Sequence, residues 1–537
     1  MKFTHFPTFL AAFGVLGFFV FVSAQGQNKP GENEPAPEKP EISQGDWASL
    51  FDGKTLEGWD GDPALWRVEE GCITGETTAD KPLEYNSFLQ WADGQLDDFE
   101  LKLDFRIQGG NSGVQVRSFA LGKPHSIGGY QADIDFSNAW SGSWYGEQYR
   151  GILAKRGQKT TIGEDGKPTE TGETGSPETL SQNIKAGDWN EMLITARGNK
   201  LSLSVNGILM SEMVDEDTDS RRRQGLLALQ LHKGPPMKVQ FRNIVVKRLP
   251  LGGNVKKIVF IAGPPSHPPR QHEHNAGTEL AARLLNENHP DKVLATVYHN
   301  RWPSDPSAFQ NADAVIIHGD GGSRQPAYWH RQQVQTLADR GVGIGCIHYA
   351  VEMLPGESND SLISWIGGAF EINQSVNPHW EATFTSLPDH PVARGVQPFK
   401  INDEWYFNMR FAPGMKGVTP ILSAIPGPET MTRPDGEHSG NPGVRKMVAD
   451  QVPQHLCWVK ERDNGGRGFG FTGCHFHDNW ANDSFRKTLL NAICWVAKVD
   501  IPSGGIDSPA LTQSDLDANL DPKPAPKPKV PAKALNP

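Results

Sequence analysis

Cysteine is scarce in this chain. Cys72, Cys346, Cys457, Cys474 and Cys494 are all that 537 residues contain. So few, odd in number and widely spaced, they exclude a disulfide framework and leave stability to hydrophobic cores. Positive charge is in deficit too. Lys and Arg total 52 against 63 Asp and Glu, a formal net charge of −11. That balance argues against a nucleic-acid partner and suits a soluble protein that handles neutral ligands. Long apolar runs are missing outside the N-terminus. There, Lys2 precedes the apolar stretch Phe9 to Val22, which is shorter than the roughly 20 residues of a membrane span. Val22-Ser23-Ala24 follows as a small-residue cleavage site. Residues 1–24 therefore read as an export signal, which predicts a periplasmic or secreted protein with no membrane span in the mature chain.

What the chain does have is tryptophan, 15 in all, a residue whose flat face stacks on sugar rings. It also has two blocks of different periodicity. Residues 25–45 form a Pro/Glu-rich linker, and residues 506–537 end in a Pro/Ala/Lys repeat expected to be disordered. Between them, residues 46–249 alternate with period two. Leu101, Leu103, Phe105 and Ile107 interleave with charged residues, and Asn206-Gly207 marks a hairpin turn. This predicts an antiparallel β-sandwich or jelly roll. Residues 254–500 alternate strand and helix, with helices expected at 278–286, 329–339 and 484–497, which predicts a flavodoxin-like, doubly wound α/β domain. The stretch 350–450 gives no clear periodicity.

In the second block, histidine recurs where a buried strand ends. Lys256 to Ala262 leads to His267, His272 and His274. Val315 to Ile317 leads to His318, and Val342 to Ile347 to His348. Gly468 to Gly473 leads to Cys474, His475 and His477. Ligand sites of open α/β sheets lie beyond the carboxyl ends of the strands, and imidazole is both a general acid/base and a common metal ligand. His272, His274, His348, His475 and His477 are thus candidate ligands for zinc or a similar divalent ion, with Asp320 or Glu404 able to complete the shell. His318 and Glu404 are also candidate sugar-binding residues. Gly319-Asp320-Gly321-Gly322-Ser323 lacks the lysine and spacing of a phosphate loop.

In the first block, strand alternation puts Gln131, Asp133 and Asp135 on one face and Tyr130, Ala132, Ile134 and Phe136 on the other. The same reasoning places Gln115 and Arg117 together. If these strands adjoin, a polar patch forms that can bind sugar hydroxyls beside a base, with Trp140, Trp144 and Tyr145 as walls and Asn111 as a further substrate-binding candidate.

Leu50-Phe51-Asp52-Gly53-Lys54-Thr55-Leu56-Glu57-Gly58-Trp59, Asn111-Ser112-Gly113, Gly129-Tyr130-Gln131 and Gly187-Asp188-Trp189-Asn190 resemble the bacterial 3-keto-disaccharide hydrolase domain. The resemblance implies a concanavalin-like jelly roll acting on glycosides oxidised at carbon 3. Such a ketone acidifies the proton on carbon 2, so a base can remove it, the glycosidic oxygen can leave, and water can add. Asp133, Asp135 and Glu147 are the base candidates; Arg117 and His125 are the candidates for stabilising the enolate.

His379-Trp380, His390-Pro391-Val392-Ala393-Arg394-Gly395-Val396, Asp403-Glu404-Trp405-Tyr406, Gly466-Arg467-Gly468 and Asn491-Ala492-Ile493-Cys494-Trp495 resemble the ThuA-like, trehalose-utilisation family, a branch of the class I glutamine-amidotransferase-like fold. That implies handling of a related keto-sugar. The amidotransferase reaction itself is disfavoured: Gly345-Cys346-Ile347-His348 lacks the closing glycine of the cysteine elbow, and no glutamate stands in register with His475. Cys346 reads as a small buried residue. The expected protein is an exported enzyme that cleaves 3-keto-glycosides, or in the alternative a carbohydrate-binding protein with a lectin-like sandwich.

Overall fold

The computed structural model describes residues 45–523. The expected export signal, and the linker up to residue 44, lie outside the described residues.

Two β-sheets sandwich one core in the first domain. The larger has ten strands, the other seven, and pairing is antiparallel save between Gln158–Ile162 and Ile208–Asp215. The period-two pattern of the sequence is the cause. In Phe99–Gln108 every second side chain is buried between the sheets, from Phe99 to Ile107. Asn206 and Gly207 both take positive φ, 51° and 78°, as a tight primed turn between Lys200–Val205 and Ile208–Asp215 requires. The seven-stranded sheet carries Ile127–Asp135 between Asn111–Ala120 and Trp144–Glu147. Its inner face contributes Tyr130, Ala132 and Ile134 to the core. The strand ends at Asp135, so Phe136 escapes the alternation and is exposed.

The second domain is built on a seven-stranded sheet. Five strands run parallel in the spatial order Val293–Tyr298, Lys256–Ala262, Ala314–His318, Gly343–Ile347 and Arg467–Phe471. Gln454–Glu461 and Val418–Ala424 extend the sheet antiparallel. Alternate residues of each central strand feed separate cores on the two faces: Ile258, Phe260 and Ile316 on one, Val259, Ile261, Val315 and Ile317 on the other. A strand buried on both faces needs apolar residues throughout, which explains the unbroken runs. Helices form at His274–Asn288, Arg331–Asp339 and Asp483–Val496, as expected. The stretch without periodicity contains the helix Glu357–Ile366 and the separate hairpin Trp380–Phe384/Phe399–Asp403.

A buried ion network joins the domains. Asp97 pairs with Lys257 at 2.7 Å and with Arg248 at 3.2 Å, and Arg248 also meets Asp305 at 2.8 Å. Removing one member would strand a buried charge.

The expected disorder from residue 506 does not hold over 506–523. Ile506 and Leu516 are buried in the α/β core. Thr512 and Asp515 cap each other around the short helix Gln513–Asp517. Arg270–Asp517 (2.6 Å) and Arg283–Asp515 (2.7 Å) tie it down. The Lys523 ammonium, 3% exposed, pairs with Glu273 at 3.1 Å and donates to the carbonyls of Gln271 and His272.

Candidate functional site

Two sites stand out, one in each domain. The first is a cavity of about 730 Å³ over the outer face of the seven-stranded sheet. Asn111, Gln131, Asp133, Asp135, Tyr145 and Glu147 line it, with Phe136 and Trp140 as apolar walls. Side by side, the strands place Gln115 opposite Gln131 and Gln131 opposite Tyr145. A directed chain of hydrogen bonds results. The Ser118 hydroxyl donates to the Gln115 carbonyl (2.6 Å), the Gln115 amide to Gln131 (2.9 Å), and the Gln131 amide to Asp133 (2.8 Å). Each amide's orientation is thereby fixed, and the last donor is aimed at the carboxylate. Gly113 makes room: a Cβ there would sit 2.5 Å from Gln131 Cγ.

Asp133 is 7% exposed. Burial pushes its carboxyl up to about 7; the Gln131 donor opposes this, while Glu147 and Asp135 add like-charge repulsion. Glu147 is itself buried and accepts from Asn86 at 2.9 Å.

The second site lies beyond the carboxyl ends of the parallel strands. His272 Nε2 is 3.0 Å from both His348 Nε2 and His475 Nδ1. Glu404 Oε2 is 3.5 Å from His348 Nε2 and 3.2 Å from His475 Nδ1. The outer ring nitrogens settle the tautomers. His348 Nδ1 donates to the Thr472 carbonyl (2.8 Å) and His272 Nδ1 to Asp320 (3.0 Å). Burial, reinforced by the neighbouring rings, drives the His272 pKa well down and keeps it neutral. Two lone pairs then face each other across 3.0 Å, an arrangement that calls for a cation between them. Four ligands around a tetrahedral ion at roughly 2.0–2.2 Å stand about 3.3–3.5 Å apart, close to the separations here. A carboxylate and a carbonyl holding the outer N–H groups are the usual supports of metal-bound imidazoles.

The loops bearing these ligands are strained. His272, His348 and Cys474 take positive φ (47°, 56° and 85°), a sparsely populated conformation for residues carrying a Cβ. Buried Asp403 accepts the backbone N–H groups of Cys474 (2.9 Å) and His475 (3.0 Å), fixing that loop. Burial would lift the Glu404 carboxyl, but the imidazoles of His348, His379 and His475 around it act the other way and hold it ionised. Exposed His267 stacks on His272, ring centres 3.5 Å apart.

Residues 46–247 match the family model of the 3-keto-alpha-glucoside-1,2-lyase-like domain, and residues 266–496 that of the trehalose utilisation (ThuA) family. The chain joins a domain of each family. Among solved structures, a candidate glycosyl hydrolase from Parabacteroides distasonis is 20% identical, covering 38% of this chain and 100% of its own, with a TM-score of 0.26. A carbohydrate binding module from Bacillus subtilis is 16% identical over 35% of this chain and 95% of its own (TM-score 0.25). A thua-like protein from Bacteroides uniformis is 16% identical over 47% and 95% (TM-score 0.33). No curated protein matches.

Several sequence expectations need correction. In the lyase-like domain, Arg117 is remote from the cavity. A bulge between Val116 and Phe119, with Arg117 at φ 47°, resets the alternation and buries its guanidinium against Asp98 at 2.7 Å. His125 sits in a turn and does not line the cavity. Trp144 points into the core. Gln115 lies beneath the cavity and acts on it through Gln131. His232, Lys233 and Asn86 line the cavity and were missed. His232 follows the strand Leu226–Leu231, but that strand pairs antiparallel on both sides, so neighbouring strands end at opposite edges and the strand-end rule does not single it out.

In the ThuA domain, His274 and His477 stand apart from the cluster, and Glu404 takes the fourth place. His274 opens a helix and turns its Nδ1 to the Pro264 carbonyl (3.1 Å). His477 Nε2 is buried without a partner. His318 is buried, its ring against His274, and stands outside the His272–His348–His475–Glu404 cluster. Cys346 is buried, which pushes its thiol pKa up and removes it as a nucleophile.

Proposed function

We propose that the lyase-like domain cleaves glycosides carrying a ketone at carbon 3, with Asp133 as the general base. The Asp133 carboxylate takes the acidified proton from carbon 2. The electron pair forms the enolate, the carbon 1–oxygen bond breaks, and the glycosidic oxygen leaves and is protonated. Addition of water across the resulting double bond completes a net hydrolysis. The Lys233 ammonium and the His232 imidazole, both at the cavity, take over the enolate-stabilising role first sought in Arg117 and His125. Tyr145, Phe136 and Trp140 offer the apolar walls a sugar ring packs on.

We further infer that His272, His348, His475 and Glu404 of the ThuA domain hold a divalent ion, zinc or similar, for a related sugar. Such an ion would polarise a carbonyl or hydroxyl oxygen. Asp320 and the Thr472 carbonyl orient its imidazoles, and Asp403 positions the His475 loop. The export signal expected in residues 1–24 would place both activities outside the cytoplasm.

The observation that carries the cleavage proposal is a buried carboxyl lining a sugar-sized cavity, with no ion-pair partner among the described residues, which burial pushes up to about 7. A base poised near the working pH is the one general-base catalysis favours. The test is incubation of the full protein with 3-keto-trehalose, following glucose release. Asp133→Asn should lower kcat/KM about 10²- to 10⁴-fold. Wild-type turnover in that variant would remove Asp133 as the base.

A further inference from the structure

Trp140 has two sides in use. It lines the cavity above Asp133, and it also lines a second recess of about 360 Å³ with Lys155, Arg156, Gln158, Glu170 and Glu173. Its indole is 43% exposed, and it is grouped exposed apolar side chains, not single ones, that mark a binding surface. Phe136 (46%) and Ile152 (39%), equally exposed, line the first cavity.

The loop that carries Trp140 is held rigid from both recesses. From the first, Asp135 accepts the backbone N–H groups of Ala139 (2.9 Å) and Trp140 (3.4 Å). From the second, the buried Arg156 guanidinium donates to the carbonyls of Asn138 (2.9 Å) and Ser141 (2.7 Å). The Gln158 amide donates to Glu170 at 2.7 Å, presetting a polar pair beside the indole. A fixed aromatic plane with amide, carboxylate and ammonium groups around it has the chemistry to hold a sugar: ring against C–H face, polar groups on the hydroxyls.

We propose that the recess bounded by Trp140, Gln158 and Glu170 is a further sugar subsite beyond the main cavity, so that the preferred substrate is a keto-glycoside with at least two sugars beyond the bond cleaved. This rests on the cleavage proposal for the neighbouring cavity, but binding tests it separately. In full-length protein carrying Asp133→Asn, titration calorimetry would compare a 3-keto-disaccharide with the 3-keto-trisaccharide that extends it by one glucose. We expect the trisaccharide to bind about tenfold more tightly. Adding Glu170→Ala or Gln158→Ala should abolish that advantage while leaving the disaccharide affinity as in the parent.

Equal affinity for the two glycosides, an advantage that survives both substitutions, or failure of either to bind would overturn the subsite. A trisaccharide advantage that these substitutions remove, in a protein whose wild-type form turns over neither glycoside, would uphold the subsite and sink the cleavage mechanism instead.

Discussion

Asp133 and Glu404 are both acidic side chains largely withdrawn from water, yet their surroundings push them in opposite directions. Asp133 is stripped of water beside two other carboxylates, and the single Gln131 donor does not offset this, so the neutral form gains. Glu404 faces His348, His379 and His475, so the ionised form gains despite burial. Desolvation acts on both, and the neighbours decide the outcome. The first environment makes a proton acceptor that works near pH 7. The second makes a permanent anion, suited to holding a cation.

The contrast can be attacked from either side. The largest effect should come from neutralising the anion. Glu404→Gln keeps the shape but removes the charge, and we expect zinc affinity, measured by competition with a chromogenic chelator, to fall at least about 100-fold. Unchanged affinity would show that Glu404 is no ligand. Next in size is the pH profile of glycoside cleavage. Because Asp133 must be ionised to act, kcat/KM should rise about tenfold per pH unit below about 7 and level off above it. A profile flat from pH 5 to 8 contradicts the assignment.

The smallest effect is on stability. The folded-state carboxyl of Asp133 titrates near 7, above its ordinary 3.8. Its burial therefore destabilises the fold increasingly as pH climbs from about 4 to 7, and fully above that. Asp133→Asn should accordingly stabilise the protein by roughly 1–2 kcal/mol at pH 8, with the gain vanishing near pH 4. Denaturant melts at the two pH values check this, and equal shifts at both would mean that the carboxyl is not perturbed.

Much of this was legible in the residues. Period-two and strand–helix alternation gave both folds, because burial on one face or two imposes those patterns directly. Strand-end histidines located His272, His348 and His475, since parallel strands deliver their carboxyl ends to one edge. Periodicity could not reach Glu404, which follows the short hairpin Trp380–Phe384/Phe399–Asp403 in otherwise irregular chain. Nor could it separate His272 from His274, two positions apart, because the helix begins between ligand and non-ligand and turns the second ring away. Arg117 failed for a similar reason: one bulge breaks the alternation rule on which the placement depended. The ordered stretch after residue 506 did carry a sign, the Thr512–Asp515 capping pair, which the Pro/Ala/Lys composition of the final residues obscured.

That stretch bears on how the protein matures. Lys523 grips the carbonyls of Gln271 and His272, and Asp521 donates its N–H to Glu273 at 3.1 Å. A ribosome must thus emit residues about 250 positions further on before the loop bearing His272 receives these fastenings. The α/β sheet can assemble earlier in synthesis, but the loop beside the histidine cluster is fastened by residues translated after the last strand of that sheet.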